Sequence, residues 1–105
     1  MKNLHSPAQP NKSLINGLAC LQALATADKG VGTRELARQL DLDRTRVSRL
    51  LGTLSQLGLA QKTSQRKYKT GPGIHILAAQ SLRASGLLSE ALPYLEDLMT
   101  YHLVV

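Results

Sequence analysis

Between Arg44 and Arg49 the sequence reads RTRVSR, three guanidinium groups and two hydroxyls within one short stretch. An arginine can donate two parallel hydrogen bonds to the edge of a guanine, and a serine or threonine hydroxyl can serve either kind of base. The same guanidinium can instead hold a phosphate. Further cations flank the stretch: Arg34 and Arg38 before it, Lys62, Arg66, Lys67 and Lys69 after it. Residues 30–70 hold nine bases and three acids (Glu35, Asp41, Asp43), whereas the rest of the chain holds four of each. The net charge of +6 on 105 residues therefore belongs entirely to one segment. Clustered positive charge points to a polyanion, nucleic acid first and an anionic membrane surface second. A merely solubilising face is the competing explanation, and the order of elements around the charge has to decide.

Other chemistries find little support. Ser64 and Lys67 fit a serine-x-x-lysine pattern by letters alone, on a polar turn without a supporting context. Three histidines and Cys20 lie too far apart for a dedicated zinc site, and His75 and His102 read as surface or boundary residues. Gly71-x-Gly73 reads as a turn rather than a phosphate loop. No nucleophile–base set appears, so the sequence reads as a non-enzyme without cofactor or metal. The single cysteine, on the apolar side of a helix, reads as a buried thiol; it excludes an internal disulfide and suits a reducing, cytoplasmic compartment. No window approaches the ~18–20 apolar residues of a membrane span. Residues 1–12 lack the apolar run of a signal peptide.

The elements that must position the cations follow from periodicity. Residues 1–12, polar with Pro7 and Pro10, read as a disordered arm. A helix is expected over 13–27, capped by Ser13, with Leu14, Leu18, Leu21 and Ala25 as its buried stripe and Ile15, Cys20 and Leu24 widening it. Gly30 and Gly32 break the pattern and leave Val31 as at most a short strand residue. A second helix, 34–40, follows a Thr33 cap and buries Leu36, Ala37 and Leu40. Asp41–Asp43 forms a short connection, and Asp43 caps a third helix over 44–57. Its apolar face is Val47, Leu50, Leu51, Leu54 and Leu57, and Gly58 sits where a left-handed cap belongs. Residues 59–62 and 67–70 read as a hairpin closed by Thr63–Arg66. Gly71–Gly73 stops it. A fourth helix spans 74–85 on a stripe of Ile74, Leu77, Ala78 and Leu82, and Gly86 ends it. A last helical segment covers about 88–101 around Pro93, and 102–105 is apolar and β-prone.

Two short helices joined by a three-residue turn and followed by a basic hairpin make a winged helix-turn-helix: mainly α, with a small β hairpin and C-terminal linker helices. In this arrangement the second helix of the pair enters the major groove while the first crosses the backbone. At 100° per residue, the face of helix 44–57 opposite its apolar stripe is Thr45, Arg49, Gly52 and Gln56, flanked by Arg46 and Ser48. These side chains are placed to read bases. Arg34, Arg38 and Arg44 are better placed for phosphates, and Arg66, Lys67 and Lys69 suit phosphate or minor-groove contacts from the wing.

Residues 13–24 (SLINGLACLQAL) and 33–60 (TRELARQLDLDRTRVSRLLGTLSQLGLA) resemble the isocitrate lyase regulator (IclR) family of bacterial transcription factors. That family runs "ELA", a short helix, "GL", a cap, then "S/T-T-V-x-R-L-L-x-T-L" and a glycine. Leu36-Ala37, Leu42, Thr45, Val47, Arg49-Leu50-Leu51, Thr53-Leu54 and Gly58-Leu59 fall on those positions. Tyr68 and Gly71 resemble the family's wing exit, and Leu92-Pro93 with Leu95 and Leu98 resembles the start of its second domain. Asp41 stands where the family has glycine, Asp43 where it has proline, and Arg46 where threonine is common. The resemblance implies an organisation of arm (1–12), DNA-binding domain (13–72), linker helix (73–87) and the truncated start of an effector-binding domain (88–105). Family members are normally more than twice as long, and the second domain binds a small effector, so an effector is expected only if a longer form exists. It also implies pairing of subunits through helix 1 and the linker helix, which Leu77, Leu82, Leu87 and Leu88 would suit.

The function so implied is sequence-specific regulation of transcription, whether repression or activation, by a homodimer on double-stranded promoter DNA. The alternative is a winged-helix interaction or dimerisation module in which the charge is incidental. Structured RNA is a third, weaker partner.

Overall fold

A computed structural model describes residues 9–86. The chain divides into two compact units, one ending at Gly73 and one beginning at Ile74. The first contains helices α1 (Lys12–Thr26), α2 (Thr33–Leu40) and α3 (Arg44–Gln56) and strands β1 (Ala60–Lys62) and β2 (Tyr68–Thr70). Helix α4 (Pro72–Ser85) starts at its end and runs into the second. The expected segments at 1–8 and 87–105, including the helix around Pro93 and the strand 102–105, lie outside the described residues.

Helix α1 begins one residue before its expected start, because Asn11 rather than Ser13 caps it. The Asn11 Oδ1 accepts from the Leu14 N–H at 3.0 Å. Lys12, expected in the arm, is therefore helical. The larger difference concerns the face of α1 that is buried. Cys20 and Leu24 enter the core, while Leu14, Ile15 and Leu18 remain 62, 51 and 53% exposed and Ala25 is exposed. The helix carries two apolar stripes on opposite sides. Periodicity alone could not say which one its own domain covers. Burial of Cys20 pushes its thiol pKa up, which keeps it protonated.

Helix α2 starts at Thr33, with Gly32 in the capping position and no side-chain cap. Leu36 and Ala37 are buried and Leu40 is partly so. The helix ends with Asp41 in left-handed backbone (φ 55). The Asp41 N–H donates to the Arg38 carbonyl (3.3 Å) and the Leu42 N–H to that of Ala37 (2.9 Å). Those two bonds satisfy carbonyls that a helix end leaves open. The same device closes α3: Gly58 (φ 77) donates to Ser55 at 3.0 Å and Leu59 to Leu54 at 2.9 Å. Asp43 caps the start of α3, its Oδ2 accepting from the Arg46 N–H at 3.1 Å. Val47, Leu51 and Leu54 are buried and Leu50 partly so; Leu57, expected on this face, is 64% exposed because the helix ends before it.

The wing is a minimal hairpin in the register Ala60↔Thr70, Gln61↔Lys69, Lys62↔Tyr68. Its turn is held by the Thr63 hydroxyl, which accepts from the N–H groups of Gln65 and Lys67, both at 3.2 Å. Val31 pairs with Tyr68 through two bonds of 2.9 and 2.8 Å, fastening the wing to the α1–α2 connection. At the exit of the wing, Gly73 donates to the Gly58 carbonyl at 2.8 Å, and a Cβ at Gly73 would lie 2.7 Å from that oxygen. A Cβ at Gly71 would collide with the same carbonyl. This backbone crossing, more than a turn, is the role of the Gly-Pro-Gly sequence.

The core is aliphatic: Cys20, Leu24, Val31, Leu36, Ala37, Val47, Leu51, Leu54 and Ala60, with Tyr68 partly buried against it. Helix α4 opens on Pro72, whose missing N–H costs nothing at a first helical position. Its start is two residues earlier than expected. None of its residues is buried, and Ile76 and Leu77 are 58 and 56% exposed.

Candidate nucleic-acid interface

The charge of α3 follows from the way it packs. With Val47, Leu51 and Leu54 fixed in the core, Thr45, Ser48, Arg49, Gly52 and Gln56 must point outward, and all are exposed. Asp43 anchors the first turn of this helix, where its guanidinium and hydroxyl groups are concentrated.

Beside this face lies an open recess of about 560 Å³ lined by Gly32, Thr33, Arg34, Glu35, Arg38, Arg44, Lys62, Arg66 and Lys67. Six cations and one acid meet there from α2, α3 and the wing, elements up to 33 residues apart in sequence between Arg34 and Lys67. Arg34 and Arg38 share a face because they are four residues apart on α2. Arg44 enters as the first residue of α3. The wing contributes because the Val31–Tyr68 pairing holds it against α2's entry. Lys62, counted in the basic segment by sequence reasoning but given no contact there, is a site residue. Its Nζ lies 5.8 Å from the centroid of the Tyr68 ring, within range of a cation–π contact. Its place on the hairpin, on the strand facing the basic residues 67–69, is the signal that could have found it.

The ten residues expected to touch nucleic acid therefore separate. Arg34, Arg38, Arg44, Arg66 and Lys67 line the recess. Thr45, Arg46 and Arg49 instead border a second, larger groove of about 920 Å³ between α1 and α3, whose floor includes Leu14, Leu18, Leu50 and Leu57. Ser48 and Lys69 are exposed and line neither. Arg46 is drawn back toward its own cap: its Nε lies 3.7 Å from Asp43 Oδ1, with both side chains more than half exposed. Among the described residues no group of three or more His, Cys, Asp or Glu comes together as a metal site. No described helix is long and apolar enough to cross a membrane.

Two helices meeting across a three-residue turn, the second turned outward, with a basic hairpin fastened beside them, define a winged helix-turn-helix. Residues 13–64 match the model of the IclR helix-turn-helix domain, and the domain belongs to that family. The chain is 33% identical over 89 residues to the HTH-type transcriptional regulator BhcR of Paracoccus denitrificans (strain Pd 1222), covering 84% of this chain and 32% of that protein. An IclR family transcriptional regulator from Brucella abortus superposes with a TM-score of 0.68 at 25% identity, over 89% of this chain and 36% of that one. A further IclR-type regulator, from Alicyclobacillus acidocaldarius, gives a TM-score of 0.72 at 24% identity, over 81% of this chain and 35% of that one, a likeness of fold. The chain spans about a third of the length of these relatives.

Proposed function

We propose that this chain is the sequence-specific DNA-binding part of a transcriptional regulator and engages promoter DNA as a homodimer. The observation that carries the reading is the recess, in which Arg34, Arg38, Arg44, Lys62, Arg66 and Lys67 converge beside the outward face of α3. Phosphates of the duplex backbone occupy the recess, which fixes the angle at which α3 enters the major groove. Thr45, Ser48 and Arg49 then read base edges, and Lys69 adds a phosphate contact from the wing. Arg46 joins them once it leaves Asp43. The outer stripe of α1 (Leu14, Ile15, Leu18) supports pairing with a second copy, and two-fold pairing is what a palindromic site requires. In this reading α4 is the linker leading out of the DNA-binding domain, and any effector site belongs to a longer form.

The test is affinity for duplex DNA measured against salt. Seven neutralised phosphates per subunit, six at the recess and one at Lys69, give a slope of log K on log salt near −6 for one domain, at about 0.9 per phosphate. A slope near zero means that no phosphates are neutralised and ends the proposal. The exposed α1 stripe also favours a second reading, an interaction module indifferent to DNA; charge reversal at Arg44 and Arg49 would leave such a module's partner binding intact.

A further inference from the structure

We propose that Gly52 positions α3 in the groove, as the point where the duplex approaches the protein most closely; the inference rests on the DNA-binding reading above. Glycine is a poor residue for a helix interior, and Gly52 lies eight residues into the 13-residue α3. Nothing inside the domain asks for it. Its backbone does not have the positive φ that glycine supplies at Gly58, and a Cβ placed on it would meet no atom within 4 Å. The contrast with Gly71 and Gly73, where a Cβ would run into the Gly58 carbonyl, is sharp. Even at Gly17, the glycine inside α1, an added methyl would have a neighbour, Leu50, at 3.9 Å.

If a reason for the missing side chain exists, it therefore lies outside the domain. Gly52 sits on the exposed face of α3, three residues after Arg49 and seven after Thr45, so all three point the same way. The body that presses on this face meets cations and hydroxyls, with Asp43, drawn to Arg46, the acid at its edge. A second copy would bring its own +6 segment against the same charges, which favours a polyanion over self-association. Direct readout tolerates little displacement, because hydrogen bonds weaken beyond about 3.2 Å. A methyl at position 52 would hold the helix away from the groove, and Arg49 and Thr45 would fall short of the bases. Gly52 thus acts through Arg49 by clearance.

The experiment uses the full chain and a duplex of about 30 base pairs, selected by the unaltered chain from a random pool and long enough for two half-sites. Anisotropy titrations over a range of salt are combined with thermal unfolding and sedimentation. Gly52→Ala is expected to raise the melting temperature by about 4–8 °C, through helix propensity. It should weaken binding to the selected duplex about tenfold, the loss of one good base contact. Gly52→Leu should weaken it further. The salt slope should stay unchanged, and in an Arg49→Ala background Gly52→Ala should cost little more. Undiminished affinity of Gly52→Ala overturns the proposal. So does a lowered melting temperature, which would reveal an internal packing role, or a shift in the sedimentation of the free chain, which would make the close neighbour a second copy. Failure of the unaltered chain to select or bind any duplex would instead sink the DNA-binding reading, and this inference with it.

Discussion

Asp43 stands where folding and DNA binding pull in opposite directions, and two substitutions separate them. Its Oδ2 caps α3 through the Arg46 N–H at 3.1 Å, and its Oδ1 lies 3.7 Å from the Arg46 guanidinium. Removing a cap of this kind costs about 1 kcal/mol. The ion pair, with side chains 58 and 63% exposed, adds at most a few tenths to that. Asp43→Ala should therefore lower the melting temperature by about 4–8 °C. Asp43→Asn retains an oxygen acceptor and should change stability by less than about half as much, since asparagine and aspartate are near equals at this position. On DNA the order is different. A carboxylate about 8 Å from one phosphate in water is opposed by roughly 0.5 kcal/mol, and charges much farther off are screened. Asp43→Asn also frees Arg46 for the duplex. Its affinity should rise about two- to fivefold at low salt, the fold-change that such energies give. Circular dichroism melts and anisotropy titrations measure the two effects side by side. If Asp43→Asn weakens DNA binding, the carboxylate itself accepts a hydrogen bond from a base such as cytosine, and the cap-only role assigned to it is wrong.

Other substitutions test the remaining assignments. Arg49→Ala should weaken binding to a selected site by roughly 1–3 kcal/mol and flatten base preference, whereas Lys67→Ala should weaken all sequences alike and reduce the salt slope by about one; identical behaviour would dissolve the distinction between reading and anchoring. Asp41→Gly and Arg66→Gly both relieve left-handed backbone (φ 55 and 63) and should each raise stability by about 0.5–1 kcal/mol in thermal melts, but only Arg66→Gly should lose DNA affinity. Leu18→Asp, on the exposed stripe of α1, should leave the circular dichroism spectrum and melt intact while sedimentation shifts toward the monomer; an unchanged distribution would place the dimer contact elsewhere.

Much of the helix-turn-helix was legible because its signals are local. Asp43 is a cap, Gly58 a left-handed stop, and Leu36-Ala37 and Val47-Leu51-Leu54 are stripes that a single period fixes. The hairpin turn was legible from its polar residues, though Thr63's hold on it was not. Non-local facts were missed. Periodicity assigns Leu14, Leu18 and Ala25 of α1 to the core, yet all three are exposed, since two apolar stripes on one helix look alike until a neighbour covers one of them. Asn11 displaced Ser13 as the cap because either residue type can cap, and only the backbone decides. In the candidate site, the cations of α2 and α3 were found from spacing along their helices. The convergence of Lys62 with them depends on Val31 pairing with Tyr68, a contact across 37 residues that no period records.

Of the departures from local preference, Asp41 in left-handed backbone (φ 55) serves to end α2, but two others lie on the surface proposed to face DNA. Arg66 occupies left-handed backbone in which glycine or asparagine is at ease, and Gly52 occupies a helix interior that favours alanine. Drift in a domain above its stability threshold could produce either one alone. Drift gives no reason for both to lie on the surface proposed to face DNA, nor for their opposite senses: at Arg66 a charged side chain is kept against the backbone, and at Gly52 a side chain is withheld against the helix. One external body, a polyanion lying along α3 and the wing, asks for charge at the first position and clearance at the second. The stripe of Leu14, Ile15 and Leu18 is a departure of another kind, apolar and on another helix, and a polyanion cannot account for it. It needs a second, apolar partner. A symmetric dimer seated on DNA supplies both bodies at once, which is why the two surfaces are better explained together than either is alone.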